Sequence, residues 1–225
     1  MKLRSFIGMA FVAAATSPAA ASAQWFGLTE SNAWEFSLAF GDVGRALSAT
    51  KLMGTRNFAT MDKRFAVGWG LRGSLLGGDN LPHMGRGNPL DTLLVTNPLV
   101  LALNLMVMGT ARLTSNIELG ANFDLTGLSV GGDKRSNLHA TNGSLSGATV
   151  GTVTTINIFG FGTESQRGSL LSEVYLQYGV NTEWKFKFGL SKFWTDYQTD
   201  LTLNGSRRFR SSVNGGFIGV RYTPQ

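Results

Sequence analysis

Hydrophobic and polar residues alternate with a period of two along much of the chain. The clearest example puts Trp184, Phe186, Phe188 and Leu190 on one face and Lys185, Lys187, Gly189 and Ser191 on the other. Similar alternation runs through residues 33–41, 64–74, 99–107, 117–125 and 173–180. Successive side chains of a β-strand point to opposite faces, whereas a helix repeats every 3.6 residues. The pattern therefore predicts an all-β protein.

The two faces of these predicted strands differ in character. One face carries large apolar and aromatic side chains, with Trp or Tyr near the strand ends, as at Trp34, Tyr178 and Trp184. The other face mixes charges with glycine and alanine, which suits a narrow, curved interior. A soluble β-sandwich also alternates, but its solvated face is richer in Thr, Lys and Glu. The pattern therefore favours a transmembrane β-barrel, whose apolar face meets lipid.

The number of strands follows from parity. Bacterial barrels have even strand numbers, short periplasmic turns and longer outer loops. Residues 44–53 alternate only weakly, but a strand there is needed to bring both termini to the periplasmic side. We predict an eight-stranded antiparallel transmembrane up-and-down β-barrel, with strands at residues 33–41, 44–53, 62–74, 98–110, 115–130, 169–180, 183–203 and 206–223.

The connections between these strands differ in length. Short turns at Arg112–Asn116 and Asn181–Thr182 are predicted to be periplasmic, and residues 75–97 and 131–168 are predicted to form long external loops. Asn204-Gly205 is a two-residue hairpin signal that would cap the last external hairpin. Gly215-Gly216 predicts a bulge in the final strand.

Residues 1–23 have the parts of a secretory signal peptide. Lys2 and Arg4 precede a short apolar run, and Ala21-Ser22-Ala23 forms a small-x-small cleavage site. The apolar run is too short to span a bilayer as a helix. We therefore expect export, cleavage after Ala23, and a mature β-barrel domain over residues 24–225.

Composition narrows the classes of function. Charged residues make up 15% of the chain, against about 25% in an average soluble domain, and there are 29 glycines. The absence of cysteine excludes disulfides, thiolate metal sites and cysteine catalysis. The net charge is +6, but the one local basic cluster is Arg207, Arg208 and Arg210 beside a predicted turn, so no nucleic-acid partner is expected.

Two stretches carry a resemblance to a known group. Residues Asn116-Ile117-Glu118-Leu119-Gly120-Ala121-Asn122-Phe123-Asp124-Leu125-Thr126-Gly127 and the ending Ile218-Gly219-Val220-Arg221-Tyr222 are similar to small outer-membrane β-barrel proteins of Gram-negative bacteria. The resemblance implies a bacterial outer-membrane location, contact with outer-membrane lipids, and insertion by the barrel-assembly machinery. Such barrels often end on an aromatic residue, whereas Thr223-Pro224-Gln225 follows Tyr222 here.

Charged residues on the inward face are the main candidates for chemistry. They are Glu35, Arg64, Arg72, Glu118, Asp124, Glu173, Lys185 and Lys187. An eight-stranded barrel is too narrow for an open aqueous pore, and unpaired buried charge is costly, so these four acids and four bases should pair. The expected outcome is a plugged lumen and a structural or interaction role through the external loops. The alternative is a narrow channel for ions or small solutes.

Other candidate residues lie in the predicted external loops. His139 and Thr141 lie in a stretch faintly similar to the His-x-Ser-Asn motif of lipid A deacylases, which makes a lipid A-modifying acyl hydrolase a remote alternative. Thr141 stands where the motif has serine and no acidic residue follows at a comparable spacing, so no enzymatic activity is expected. His83 and His139 are far apart in sequence, so no metal site is expected, and no cofactor is expected either. Residues Thr154–Phe161 form a β-prone apolar patch that could extend a hairpin or bind an unknown ligand.

Overall fold

A computed structural model of the chain describes residues 29–30, 32–58, 64–85, 91–139, 147–160, 167–203 and 206–224. The predicted signal peptide and the Asn204-Gly205 turn lie outside these residues. The described strands are β1 (Thr29–Glu30), β2 (Trp34–Gly41), β3 (Gly44–Asn57), β4 (Phe65–Gly78), β5 (Leu81–Gly85), β6 (Thr92–Val95), β7 (Leu99–Arg112), β8 (Ile117–Val130), β9 (Asp133–His139), β10 (Gly147–Val153), β11 (Ile156–Ile158), β12 (Leu170–Gly179), β13 (Trp184–Leu203) and β14 (Ser206–Tyr222).

All strand pairs in the described ranges are antiparallel, and the strands belong to one sheet. The predicted all-β, antiparallel fold class is therefore confirmed. The described part of the chain contains no helix with the length and hydropathy needed to cross a bilayer.

Eight of the strands pair in a cycle. β2, β3, β4, β7, β8, β12, β13 and β14 pair in that order, and β14 also pairs with β2, so the pairing returns to its start. We call these strands the main ring. Each predicted strand overlaps one of them, including the weak segment 44–53, which lies within β3.

Polarity in the main ring is inverted relative to a soluble protein. Its outward side chains are large, apolar and exposed, with Leu190 71% and Ile218 61% accessible. Its inward side chains include many that are polar and buried, such as Ser48, Asn104 and Asn122. The alternation of the sequence therefore appears in the structure with the hydrophobic face outside.

The predicted external loops contain further strands, and in this respect the loop prediction was wrong. β5 and β6 lie within residues 75–97, and β9, β10 and β11 lie within residues 131–168. β14, β5, β6, β9, β10 and β13 pair in that order, and β13 pairs with β14, which closes a second cycle. We call these four short strands and the outer ends of β13 and β14 the distal ring.

The short strands of the distal ring escaped prediction for a physical reason. β6 has four residues and β10 is rich in glycine and threonine, so neither shows a strong period of two. β5 and β6 form one hairpin, and β9 and β10 form another, but the second partner of each strand is distant in sequence: β5 pairs with β14, β6 with β9, and β10 with β13. These distant pairings supply hydrogen bonds and cross-strand contacts that the local sequence does not reveal.

The predicted bulge at Gly215-Gly216 is also absent. Pairing with β13 continues in register through both glycines, and the shift between β13 and β14 lies instead between Gln198 and Leu203. Gly215 serves a different purpose, since a Cβ atom there would clash with the carbonyl oxygen of Phe40. Glycine at this position permits the close approach of β14 and β2.

Candidate functional site

Six charged side chains from six strands of the main ring meet in its interior. They are Glu35 on β2, Arg72 on β4, Asp124 on β8, Glu173 on β12, Lys187 on β13 and Arg221 on β14. Each occupies an inward position of its strand, and all six are buried. We call them the ion cluster.

Each charge in the ion cluster lies beside an opposite one. Lys187 donates to Glu35 at 2.7 Å and lies 3.6 Å from Glu173, while Arg221 pairs with the other oxygen of Glu35. Arg72 lies 3.3 Å from Asp124 and 3.5 Å from Glu173. Three acids face three bases, so the cluster has no net charge when all six groups are ionised.

Neutral groups supply further hydrogen bonds to the carboxylates. Asn122 and the Ser37 hydroxyl each donate to Glu173 at 2.8 Å. The Asn104 amide and the Leu171 backbone N–H each donate to Asp124 at 2.8 Å. Buried charge is tolerated when it is both paired and hydrogen-bonded, and each carboxylate of the ion cluster is paired and accepts hydrogen bonds.

Buried apolar side chains adjoin the ion cluster. Towards the distal ring they include Leu76, Val100, Phe193, Val213 and Phe217, which belong to one core cluster with side chains of the distal ring and which we call the apolar layer. A smaller group, Leu52, Met106 and Met108, lies beside the ion cluster itself, since the Met108 sulfur is 3.3 Å from Arg221. The interior therefore combines a charge-balanced cluster with packed apolar side chains.

Two predicted interior charges lie closer to the end of the ring that carries the chain termini. Lys185 donates to Glu118 at 2.9 Å, and Gln177 donates to the same carboxylate at 2.8 Å. Arg112 lies 4.0 Å from Glu118. The side chains of Glu118 and Lys185 are partly exposed and that of Arg112 is exposed, so water screens these pairs more than it screens the ion cluster.

The predicted charges thus divide into three groups. Glu35, Arg72, Asp124, Glu173 and Lys187 belong to the ion cluster, and Glu118 and Lys185 pair at the ring end. Arg64 was predicted to lie in the lumen, but it precedes the first residue of β4 and is exposed. Its carbonyl accepts the Arg112 N–H at 2.7 Å, so it belongs to the turn region at the rim.

Arg221 is a member of the ion cluster that the sequence reasoning did not include. A signal for it was present, because Ile218, Val220 and Tyr222 occupy one face of β14 and leave Arg221 on the opposite face. The pairing of Arg221 with Glu35 joins residues that are neighbours across β14 and β2. Their sequence separation of 186 residues explains why local patterns did not reveal the pair.

A second buried charge joins the two rings. Asp196 lies on β13 between two pairings. The residues up to Trp194 pair with β12, and those from Tyr197 onwards pair with β10. Its carboxylate accepts hydrogen bonds from Arg210 at 2.8 Å and from the Gly168 N–H at 3.0 Å, and it also pairs with Arg208. Two arginines of the basic cluster in the sequence therefore neutralise one buried carboxylate.

The two histidines lie apart and do not form a joint site. His83 is buried in β5, with Nδ1 2.9 Å from the Leu81 carbonyl and its ring edge-on to Tyr197 at 4.8 Å. Burial lowers the pKa of His83 to about 4 and raises that of Tyr197 to about 12. His139 is exposed at the end of β9, and Thr141 lies outside the described residues.

No group of three or more His, Cys, Asp or Glu side chains suitable for a metal ion occurs among the described residues. The apolar patch at Thr154–Phe161 supplies β11, which pairs with β8. Ile156 and Ile158 are exposed, while Asn157 is buried and donates to Asn104 at 2.7 Å. Part of the patch therefore extends the sheet, and its central polar residue joins the interior network.

Comparison with known proteins gives structural likenesses without a sequence match. No protein-family model matches the chain, and no curated protein matches it. The fold is similar to Neisserial surface protein A, with 9% identity, a TM-score of 0.39, and 85% of this chain and 94% of that one covered. It is also similar to the attachment invasion locus protein Ail of Yersinia pestis, with 11% identity, a TM-score of 0.29, and coverage of 86% and 99%.

A third similar structure is the toluene transporter TbuX of Ralstonia pickettii, with 11% identity and a TM-score of 0.26. The comparison covers 88% of this chain and 79% of the transporter. These structural neighbours are outer-membrane β-barrel proteins of Gram-negative bacteria, the group that the sequence resembles.

Proposed function

We propose that the main ring is an eight-stranded β-barrel that spans the bacterial outer membrane. Two observations on the chain itself support this. The cycle of pairings through β2, β3, β4, β7, β8, β12, β13 and β14 leaves each of these strands paired on both sides, and a bilayer requires this because lipid cannot satisfy free backbone groups. The exposed outer face is apolar, as contact with lipid requires.

Aromatic residues at the start and in the middle of β13 support a position for the bilayer. Trp184 packs against Tyr222 with ring centroids 4.6 Å apart. Trp194 lies ten residues further along β13, and its ring centroid is 5.2 Å from the Lys192 ammonium. Ten residues of strand extend about 33 Å, which at the usual tilt of about 40° corresponds to a height of about 25 Å. Outer-membrane barrels have an apolar band of about this height.

The lengths of the connections support an orientation. The turns 113–116 and 180–183 are short and lie at the end of the ring that also carries Trp34 and Tyr222. The distal ring extends from the opposite end. Since barrels of this kind have short periplasmic turns and long external segments, the distal ring projects from the cell surface.

The proposed role is a sealed membrane barrel that presents the distal ring to the outside for structural or interaction purposes. The observation that carries this proposal is the filled interior, in which the charge-balanced ion cluster adjoins packed apolar side chains. A conducting pore requires a continuous wet path or a surplus of one charge, as selectivity filters have. Contact with outer-membrane lipids and insertion by the barrel-assembly machinery stay predictions.

Planar-bilayer recording of the refolded protein tests the sealed interior. Insertion is verified beforehand by co-flotation of the protein with lipid vesicles and by β-sheet circular dichroism. We expect no conductance steps from inserted protein. Discrete and reproducible steps would refute the sealed interior and favour a narrow channel for ions or small solutes.

A matched pair of variants strengthens this test. Phe193→Ala removes a buried ring from the apolar layer, whereas Phe188→Ala removes an exposed ring from the lipid-facing side of the same strand. If the interior packing seals the barrel, any leak produced by ring removal should occur in Phe193→Ala and not in Phe188→Ala. A measurable leak of equal size in both variants would contradict the proposal that the interior packing seals the barrel.

A further inference from the structure

A polar cleft of about 350 Å³ lies in the distal ring, between the end of β10 and the outer part of the β13–β14 hairpin. Its lining includes Thr152, Thr154, Thr155, Gln198, Asp200 and Arg207. Its volume is at the lower end of the range of about 300–1,000 Å³ that small-molecule sites occupy. The cleft is therefore large enough for one small ligand.

The cleft coincides with an irregularity in strand pairing. Gln198 pairs with Arg208, and the next pair is Leu203 with Ser206. Residues 199–202 of β13 therefore lie opposite a single residue of β14, Arg207. The regular ladder between β13 and β14 is therefore interrupted at this point. Irregularities of this kind often occur beside functional sites because they redirect side chains.

The polar groups of the cleft combine hydroxyl, amide, carboxylate and guanidinium functions. Asp200 and Arg207 are exposed and carry opposite charges, so the lining has no net charge. Arg207 donates its Nε to the Thr202 hydroxyl at 2.8 Å, which orients the guanidinium. The Thr154 hydroxyl oxygen is buried and forms no hydrogen bond within the described part of the chain, which is a costly state for a buried polar atom.

This combination matches the chemistry of a sugar. A carboxylate accepts hydrogen bonds from neighbouring hydroxyls, a guanidinium donates to ring and hydroxyl oxygens, and threonine and glutamine do both. A phosphate or sulfate ligand would meet Asp200 as well as Arg207 and would gain no net attraction from the pair, and an apolar ligand would leave these polar groups without partners. We propose that the cleft binds one uncharged, hexose-sized saccharide unit.

The position of the cleft agrees with this ligand class and rests on the proposed function. Gln198 lies four residues beyond Trp194 on β13, which corresponds to about 10 Å above the outer edge of the apolar band. Saccharides occur at this height in two forms, as the glycan of an outer-leaflet glycolipid and as free glycans outside the cell. The chemistry of recognition is the same for both.

Titration of the detergent-purified full chain with defined probes tests the proposal. The probes are a panel of uncharged methyl glycosides and disaccharides, purified rough-type lipopolysaccharide, and inorganic phosphate, followed by saturation-transfer difference NMR and calorimetry. We expect saturable binding of at least one uncharged glycoside or of the lipopolysaccharide. Binding to lipopolysaccharide alone identifies the glycolipid as the source, and binding to free glycosides identifies a soluble glycan.

Two matched pairs of variants locate the binding site. Asp200→Asn and Arg207→Gln should each weaken binding at least tenfold. Asp79→Asn and Arg135→Gln make the same changes at exposed positions outside the cleft and should leave binding unchanged. Circular dichroism confirms that each variant retains its β-sheet.

Three results would overturn the proposal: no saccharide binding, binding of phosphate in preference to every saccharide, or equal weakening by the control variants. The measurement in detergent does not depend on a sealed interior or on membrane orientation. A failure here therefore leaves the proposed barrel untouched, and conductance in the bilayer leaves the saccharide site untouched.

Discussion

Replacing Glu35 by glutamine removes one charge from the ion cluster while keeping the size of the side chain. Glu35 is only 3% exposed, and its two oxygens bind Lys187 and Arg221. After the change, Lys187 keeps Glu173 at 3.6 Å, while Arg221 keeps only the contact with the Met108 sulfur at 3.3 Å among its described side-chain partners. Three bases then face two acids in a buried layer.

The magnitude follows from the burial of these groups. Removal of one partner from a buried ion pair costs about 3–5 kcal/mol, because the remaining charge is left in a poorly solvated place. Glu118→Gln is the matched control, since it breaks the 2.9 Å pair with Lys185 among partly exposed side chains. An exposed pair contributes about 0.2–1 kcal/mol, so the two substitutions should differ several-fold.

Urea unfolding of the refolded protein in lipid vesicles, followed by tryptophan fluorescence, measures both changes in the free energy of unfolding. A double variant, Glu35→Gln with Arg221→Gln, restores the charge balance and should recover part of the lost stability. If Glu35→Gln costs no more than Glu118→Gln, water reaches the ion cluster, and the reasoning that treats the interior as sealed is refuted.

Three further outcomes are expected. Phe188→Arg places a charge on the proposed lipid face, midway between Trp184 and Trp194, and should lower the free energy of unfolding by about 2–4 kcal/mol. Gln198→Arg, above the apolar band, should change this free energy little in the same urea assay. The buried His83 has a folded pKa of about 4, so the unfolded chain binds more protons below pH 6.5. Stability should therefore fall by about 2 kcal/mol between pH 7 and pH 5, with His83→Phe abolishing this dependence and His139→Gln preserving it. Asp196→Asn should loosen the junction of the two rings and speed tryptic cleavage at Arg208 and Arg210. The β-sheet circular dichroism signal should persist, and an unchanged rate of cleavage would contradict the role of Asp196.

The strands of the main ring were predictable because their signal is local. Each has an outward apolar row such as Phe186, Phe188 and Leu190, and a period of two over eight or more residues needs no knowledge of the partner strand. Even β3, whose alternation is weak, followed from the requirement for an even number of strands. The short strands β5, β6, β9 and β10 had no comparable signal, since they are short or rich in glycine and threonine and each needs a second partner from a distant part of the chain.

The ion cluster was predictable in its membership more than in its geometry. Inward parity alone identified Glu35, Arg72 and Lys187 as interior residues, but it also included Arg64, whose strand begins one residue later. It could not show which acid binds which base. Those pairings depend on the register between strands and on how side chains of six strands converge across the ring.

The sequence by itself determined the strand pattern, the inverted polarity and the expectation of a membrane-facing outer surface. These properties depend on the alternation of side chains along one strand, which neighbouring residues decide. The tertiary structure alone decided the distal ring, the junction at Asp196 and the cleft beside Asp200. Each of these requires strands from separate parts of the chain to meet in one register, and the free energy that holds them there comes from contacts that exist only after they meet.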